Sequence, residues 1–117
     1  MRILMVPALL TACLLASPAL AKSMTGSELK AAFVGKPLKW QTADGKIRGT
    51  ASYKADGSAA ATGNFGSFTS DTGSWRINGN KLCVKWKKIR GGKERCYTVE
   101  AKGRGKFVDD GGTLISY

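Results

Sequence analysis

The chain has 117 residues, with 19 Lys and Arg against 8 Asp and Glu, no histidine, three cysteines and a formal net charge of +11. That length holds one domain around one modest core and is too short for two. A chain without histidine has no imidazole base and lacks the commonest nitrogen ligand for metals, while the positive charge favours anionic partners.

The first residues have the layout of a secretory signal: Arg2 as a short positive start, an apolar run from Ile3 to Ala16, and Ser17-Pro18-Ala19-Leu20-Ala21 as a small-residue cleavage region. This layout predicts a signal peptide over 1–21, cleavage after Ala21 and a single β domain over 22–117, located in the periplasm or secreted. A transmembrane helix fits less well, because the apolar run falls short of the roughly 20 residues that span a bilayer, so no transmembrane segment is expected in the mature chain. Leu10-Thr11-Ala12-Cys13 resembles a lipobox, in which Cys13 would carry a lipid anchor. Leu14-Leu15-Ala16 continue the apolar core where a lipoprotein turns polar, so cleavage at Ala21 is preferred.

Thr25-Gly26-Ser27-Glu28 fits a capping box, and Leu29, Ala32 and Phe33 follow at helical spacing before Gly35 and Pro37 stop the run. One short N-terminal helix is predicted, with Leu29 and Phe33 plugging one end of a sheet or barrel. Beyond Pro37, short stretches rich in β-branched and aromatic residues alternate with turn signals at Asp44-Gly45, Asp56-Gly57, Asn78-Gly79, Gly91-Gly92 and Gly111-Gly112. Strands are predicted near 37–42, 46–54, 58–64, 65–70, 73–78, 81–88, 94–101, 105–108 and 113–117. The weakest is the one containing Ala59-Ala60-Ala61. The fold class is mainly β: a small antiparallel meander closing into a barrel or curled sheet, with a two-layer sandwich as the alternative.

Without 1–21 the chain keeps 18 basic and 8 acidic residues and the cysteines Cys83 and Cys96. An even pair in an oxidising compartment suggests a disulfide, stabilising by about 3 kcal/mol, with two free thiols as the alternative. Strand parity places Leu82, Val84 and Trp86 on one face and Cys83, Lys85 and Lys87 on the other. On the return strand Tyr97, Val99 and Ala101 form the apolar set and Cys96, Thr98 and Glu100 the polar one. A two-residue Gly91-Gly92 turn would leave the cysteines about 13 Å out of line. A wide loop over 87–92 sets Cys83 opposite Cys96 and Lys85 opposite Glu94.

That loop projects as a basic tip. Lys81 to Lys106 holds ten basic residues and two acidic ones, and Lys85, Lys87, Lys88, Arg90, Lys93 and Arg95 are the candidate anion-binding residues. The plainer reading is a charged face that keeps the protein soluble. No catalytic residue, cofactor or metal site is predicted. The cysteines are too far apart for a Cys-x-x-Cys motif, Asp44, Asp56 and Asp71 sit in or beside turns, and Asp109-Asp110 lack the ligand count of a calcium loop. Trp40, Trp75, Trp86, Phe65, Phe68 and Tyr97 are assigned to core packing; stacking on bases is the alternative, and no nucleic-acid partner is expected.

From about residue 25 onward, Gly26-Ser27-Glu28-Leu29, Gly35, Asp44-Gly45, Tyr53, Asp56-Gly57, Gly73-Ser74-Trp75, Leu82-Cys83 and Arg95-Cys96-Tyr97 resemble a family of small uncharacterised exported proteins of Gram-negative bacteria. The resemblance implies the fold and the bridge and carries no activity. A looser likeness is to periplasmic barrels that inhibit lysozyme, but a strongly basic inhibitor would be repelled by a basic enzyme. Expected, then, is a non-enzymatic exported binding protein using its basic surface for anionic cell-envelope material, such as lipopolysaccharide phosphates or acidic polysaccharide. The alternatives are a barrel carrier of an apolar ligand and an inhibitory or structural partner of another envelope protein.

Overall fold

A computed structural model describes residues 22–117. The signal-type segment over 1–21, its cleavage point and Cys13 lie outside the described residues. Helix α1 spans Gly26–Phe33. Its capping box is formed: the Glu28 backbone N–H donates to Thr25 Oγ1 at 3.2 Å, and the Thr25 N–H donates to Glu28 Oε1 at 2.8 Å. Two otherwise orphaned donors are satisfied there, so so short a helix has a defined start.

Nine antiparallel strands follow: β1 Leu38–Gln41, β2 Arg48–Tyr53, β3 Ser58–Gly63, β4 Ser70–Asn78, β5 Lys81–Trp86, β6 Glu94–Tyr97, β7 Val99–Gly103, β8 Lys106–Asp109 and β9 Leu114–Ser116. They pair in the order β6-β5-β4-β3-β2-β1-β9-β8-β7, a nearly closed barrel. The two end strands are halves of one bent strand, since only Thr98 separates β6 from β7. The first half pairs with β5 and the second with β8. The bend is pinned by Asp110, whose N–H donates to the Thr98 carbonyl at 3.0 Å. The free side of β7 is covered by Ser23–Met24, with the Met24 N–H donating to the Val99 carbonyl at 2.7 Å. Closure and this short cover leave little edge for another chain to pair with, and the sandwich alternative is excluded.

Alternate residues of each strand face inward. Leu38, Ala51, Tyr53, Ala59, Ala61, Leu82, Val84, Trp86, Tyr97, Val99, Phe107 and Ile115 are buried, together with Leu29 and Phe33 of α1. Phe33 meets Phe107 edge-on at 5.0 Å and lies 6.3 Å from the Tyr53 ring. The helix therefore closes the end where the β2–β3, β4–β5 and β7–β8 turns lie, as its two apolar residues predict.

The register of the β5–β6 hairpin is the wide-loop one: Cys83 lies opposite Cys96 and Lys85 opposite Glu94, and the cysteines form the disulfide. The predicted strand over 65–70 is overturned. Residues 64–69 are a loop, and β4 instead starts at Ser70 and runs for nine residues. Gly66 takes φ +97°, and Phe65 turns back to stack between Trp40 at 5.5 Å and Phe68 at 4.9 Å. The aromatic content that suggested a strand serves this stack. The predicted strand over 94–101 is broken at Thr98.

Candidate functional site

At the barrel end away from α1, four connections form a ring: residues 42–47, 64–69, 87–93 and 110–113. Asn64 links the first two, its side-chain amide donating to the Lys46 carbonyl at 2.8 Å and its Oδ1 accepting from the Arg48 N–H at 2.8 Å. Inside the ring a cavity of about 260 Å³ opens into the barrel. Its wall combines Leu38, Trp40, Ile47, Ala51, Ala61, Phe65, Trp86, Ile89 and Ile115 with the polar groups of Tyr53, Tyr97, Arg90, Arg95 and Asp109.

The volume has a source in the sequence. Ala51 faces Ala61 across β2 and β3, and Tyr53 faces Ala59, so one wall carries methyl groups where neighbouring walls carry Trp86 and Tyr97. An eight-to-nine-strand barrel is just wide enough for ordinary side chains to fill, and alanines at inward positions leave space. At the mouth, a Cβ on Gly63 would lie 2.9 Å from both the Phe65 and Trp40 rings, so this glycine lets the aromatic pair close over the wall.

Polar groups in the wall are fixed in different ways. The Tyr53 and Tyr97 hydroxyls are buried and hydrogen-bonded to each other at 3.2 Å. Burial pushes both phenols above their ordinary range, Tyr97 the further, so both stay neutral. Asp109 is 8% exposed, and its Oδ1 accepts the N–H groups of Gly111 at 2.8 Å and Thr113 at 3.0 Å, which fixes the β8–β9 turn. Arg95 donates to Asp110 at 2.9 Å and lies 5.3 Å over the Tyr97 ring.

Asp71, 5% exposed on β4, holds the 87–93 loop in place. Its Oδ2 accepts the N–H groups of Lys88 and Ile89, both at 2.9 Å, and its Oδ1 accepts that of Thr72 at 2.9 Å. Burial opposes ionisation of this carboxyl, but the three N–H donors outweigh it and hold its pKa below the usual range. In the clamped loop Arg90 adopts φ 56°, ψ 30°, the one non-glycine residue with positive φ among the described residues. Its guanidinium is held below its ordinary basicity first by burial and then by the charge of Arg95.

The six predicted anion-binding residues therefore do not form one tip. Lys85, Lys87, Lys88 and Lys93 are exposed outside the barrel, with Lys88 Nζ 5.3 Å over the Phe68 ring, while Arg90, also exposed, and the half-buried Arg95 line the cavity. The parity that places Tyr97 inside also places Arg95 inside, a signal present in the sequence. The inward turn of Arg90 depends on a left-handed backbone in a loop and has no such signal. The aromatics Trp40, Trp75, Trp86, Phe65 and Tyr97 belong to the core or pack against it, and Phe68 lies beneath Lys88. Asp109 and Asp110 are spent on the turn and on Arg95. Among the described residues no cluster of three His, Cys, Asp or Glu could hold a metal ion, and no helix is long and apolar enough to cross a membrane.

A family model described as a protein of unknown function, DUF995, matches residues 2–109. No curated protein matches the chain, and no solved structure does.

Proposed function

The chain belongs to this DUF995 family of unknown function, and from that premise we propose that it is an exported, non-enzymatic binding protein that holds one small, mainly apolar ligand inside its barrel. The observation that carries this is the cavity of about 260 Å³, open at the looped end, closed at the helix end and walled largely by apolar side chains. Ligand sites are typically concave, apolar and provided with a few fixed polar groups, and this cavity has that composition. Its volume corresponds to about nine liquid-water volumes, and so to a ligand of roughly nine non-hydrogen atoms. The signal-type layout of 1–21 and the disulfide support export to an oxidising compartment, with the periplasm of a Gram-negative bacterium as the proposed location.

A titration with 1-octanol followed by tryptophan fluorescence tests the cavity, because Trp40 and Trp86 line it. Saturable binding that is lost in Ala61→Phe, with cooperative melting retained, is the expected result. Binding that survives both Ala61→Phe and the milder Ala51→Leu would place the ligand elsewhere and overturn the proposal.

A second reading is favoured by the four exposed lysines Lys85, Lys87, Lys88 and Lys93 around the β5–β6 loop. They suit anionic envelope polymer held at the surface. Lys87→Glu, Lys88→Glu and Lys93→Glu together would abolish capture of lipopolysaccharide under that reading and leave octanol binding unchanged under the first.

A further inference from the structure

We propose that the ligand is an acid: a small apolar molecule whose anionic group is received at the cavity mouth by Arg90, with its apolar body directed into the barrel. This rests on the cavity reading and adds the chemical class of what enters it.

Arg90 is held in a conformation that a side chain with a Cβ enters at a cost of about 1–2 kcal/mol. Such strain persists only where the surroundings impose it, and here Asp71 does so by fixing the N–H groups of the two preceding residues. The result separates Arg90 from its neighbours: Lys87, Lys88 and Lys93 stay outside, and Arg90, although itself exposed at the mouth, lines the cavity. Glycine at position 90 would form the same loop without strain, so the loop's shape does not require arginine.

Among the described residues the Arg90 guanidinium has no ion pair, whereas Arg95 is engaged by Asp110. The charged groups of the cavity wall are Arg90, Arg95 and the carboxylate of Asp109. Asp109 directs one oxygen to two backbone N–H donors, so the lining carries two cations against one carboxylate, and the cation without an ion pair is Arg90. Partial burial and then the nearby Arg95 charge disfavour that cation and outweigh the support it draws from Asp109. A carboxylate or phosphate placed against it forms charge-assisted, forked hydrogen bonds and removes the repulsion. The neutral Tyr53 and Tyr97 hydroxyls deeper in the barrel put no negative charge in the way.

Octanoate and 1-octanol share their apolar body and differ at the head group, so their affinities for the full mature chain at pH 7 separate the two proposals. Octanoate is expected to bind about tenfold tighter, with a preference that shrinks as salt rises. In Arg90→Gly, which removes charge and strain together, the octanoate-to-octanol ratio should fall to about one, and Arg90→Lys should keep part of it. Equal affinities in the unaltered protein, or a preference surviving in Arg90→Gly, would overturn the acid assignment and leave the cavity reading standing. Failure of both probes to bind at millimolar concentration would overturn both.

Discussion

At the helix end of the barrel Leu29 and Phe33 are each 1% exposed and Phe33 packs on Phe107 and Tyr53, and the elements there follow from apolar spacing and one capping box. The looped end uses the same strands to opposite effect. It places alanines where bulk would fill the barrel, clamps a loop on a buried carboxylate and holds an arginine in a strained backbone. Consistency between local preference and fold marks a region built for stability, and local violations that the surroundings enforce mark a region selected for something else. By that measure stability resides at one end of this barrel and the proposed ligand site lies at the other.

Substitutions at the two ends should break this comparison in graded steps. The largest effect is expected from Phe33→Ala, which opens a cavity in the plug and should cost about 3–5 kcal/mol in urea unfolding. Replacing Cys83 and Cys96 by serine should cost about 2–3 kcal/mol, because the bridge closes a short loop in the unfolded chain.

Asp71→Asn should cost about 1–2 kcal/mol, loosen the 87–93 loop and expose the Lys88 and Ile89 amides to faster hydrogen exchange. The same residue gives a pH signature. Its carboxyl pKa is lower in the folded state than in the unfolded chain, so its stabilisation is complete above about pH 4 and is lost as pH falls through the folded value. Asp71→Asn should flatten the acid limb of a stability-against-pH curve without removing it. Asp44, held low by the Thr42 hydroxyl and Lys46 N–H, Asp56, held low by Ser58, and Glu94, held low by Arg76, contribute in the same direction.

The smallest effect, and the only gain, is expected from Arg90→Gly: about 1 kcal/mol of added stability from relief of the left-handed backbone, read as a higher melting temperature. A loss of stability there would mean that Arg90 is held by packing and that the two ends do not differ in kind.

How far the sequence could be read follows the same division. The capping box, the plug residues, the turn dipeptides and the cysteine parity are local signals, and together they specified helix, meander and hairpin register. Phe65 and Phe68 misled because aromatic residues report a half-buried surface as readily as a strand, and here Phe65 lines the cavity with Phe68 stacked on it. Ala59-Ala60-Ala61 read as a weak strand because a missing side chain is visible in sequence while the space it leaves exists only in the closed barrel. Arg95 could have been placed by its parity with Tyr97. Arg90 could not, since its position depends on Asp71, 19 residues earlier, reaching across to the backbone of its loop.

Native mass spectrometry of the unreduced protein from an exported fraction tests the central claim most directly. The account predicts the mass of residues 22–117 less two hydrogens, carrying one small adduct that is absent from Ala61→Phe. A bare mass in the unaltered protein, or an adduct that Ala61→Phe retains, would contradict a ligand held inside the barrel.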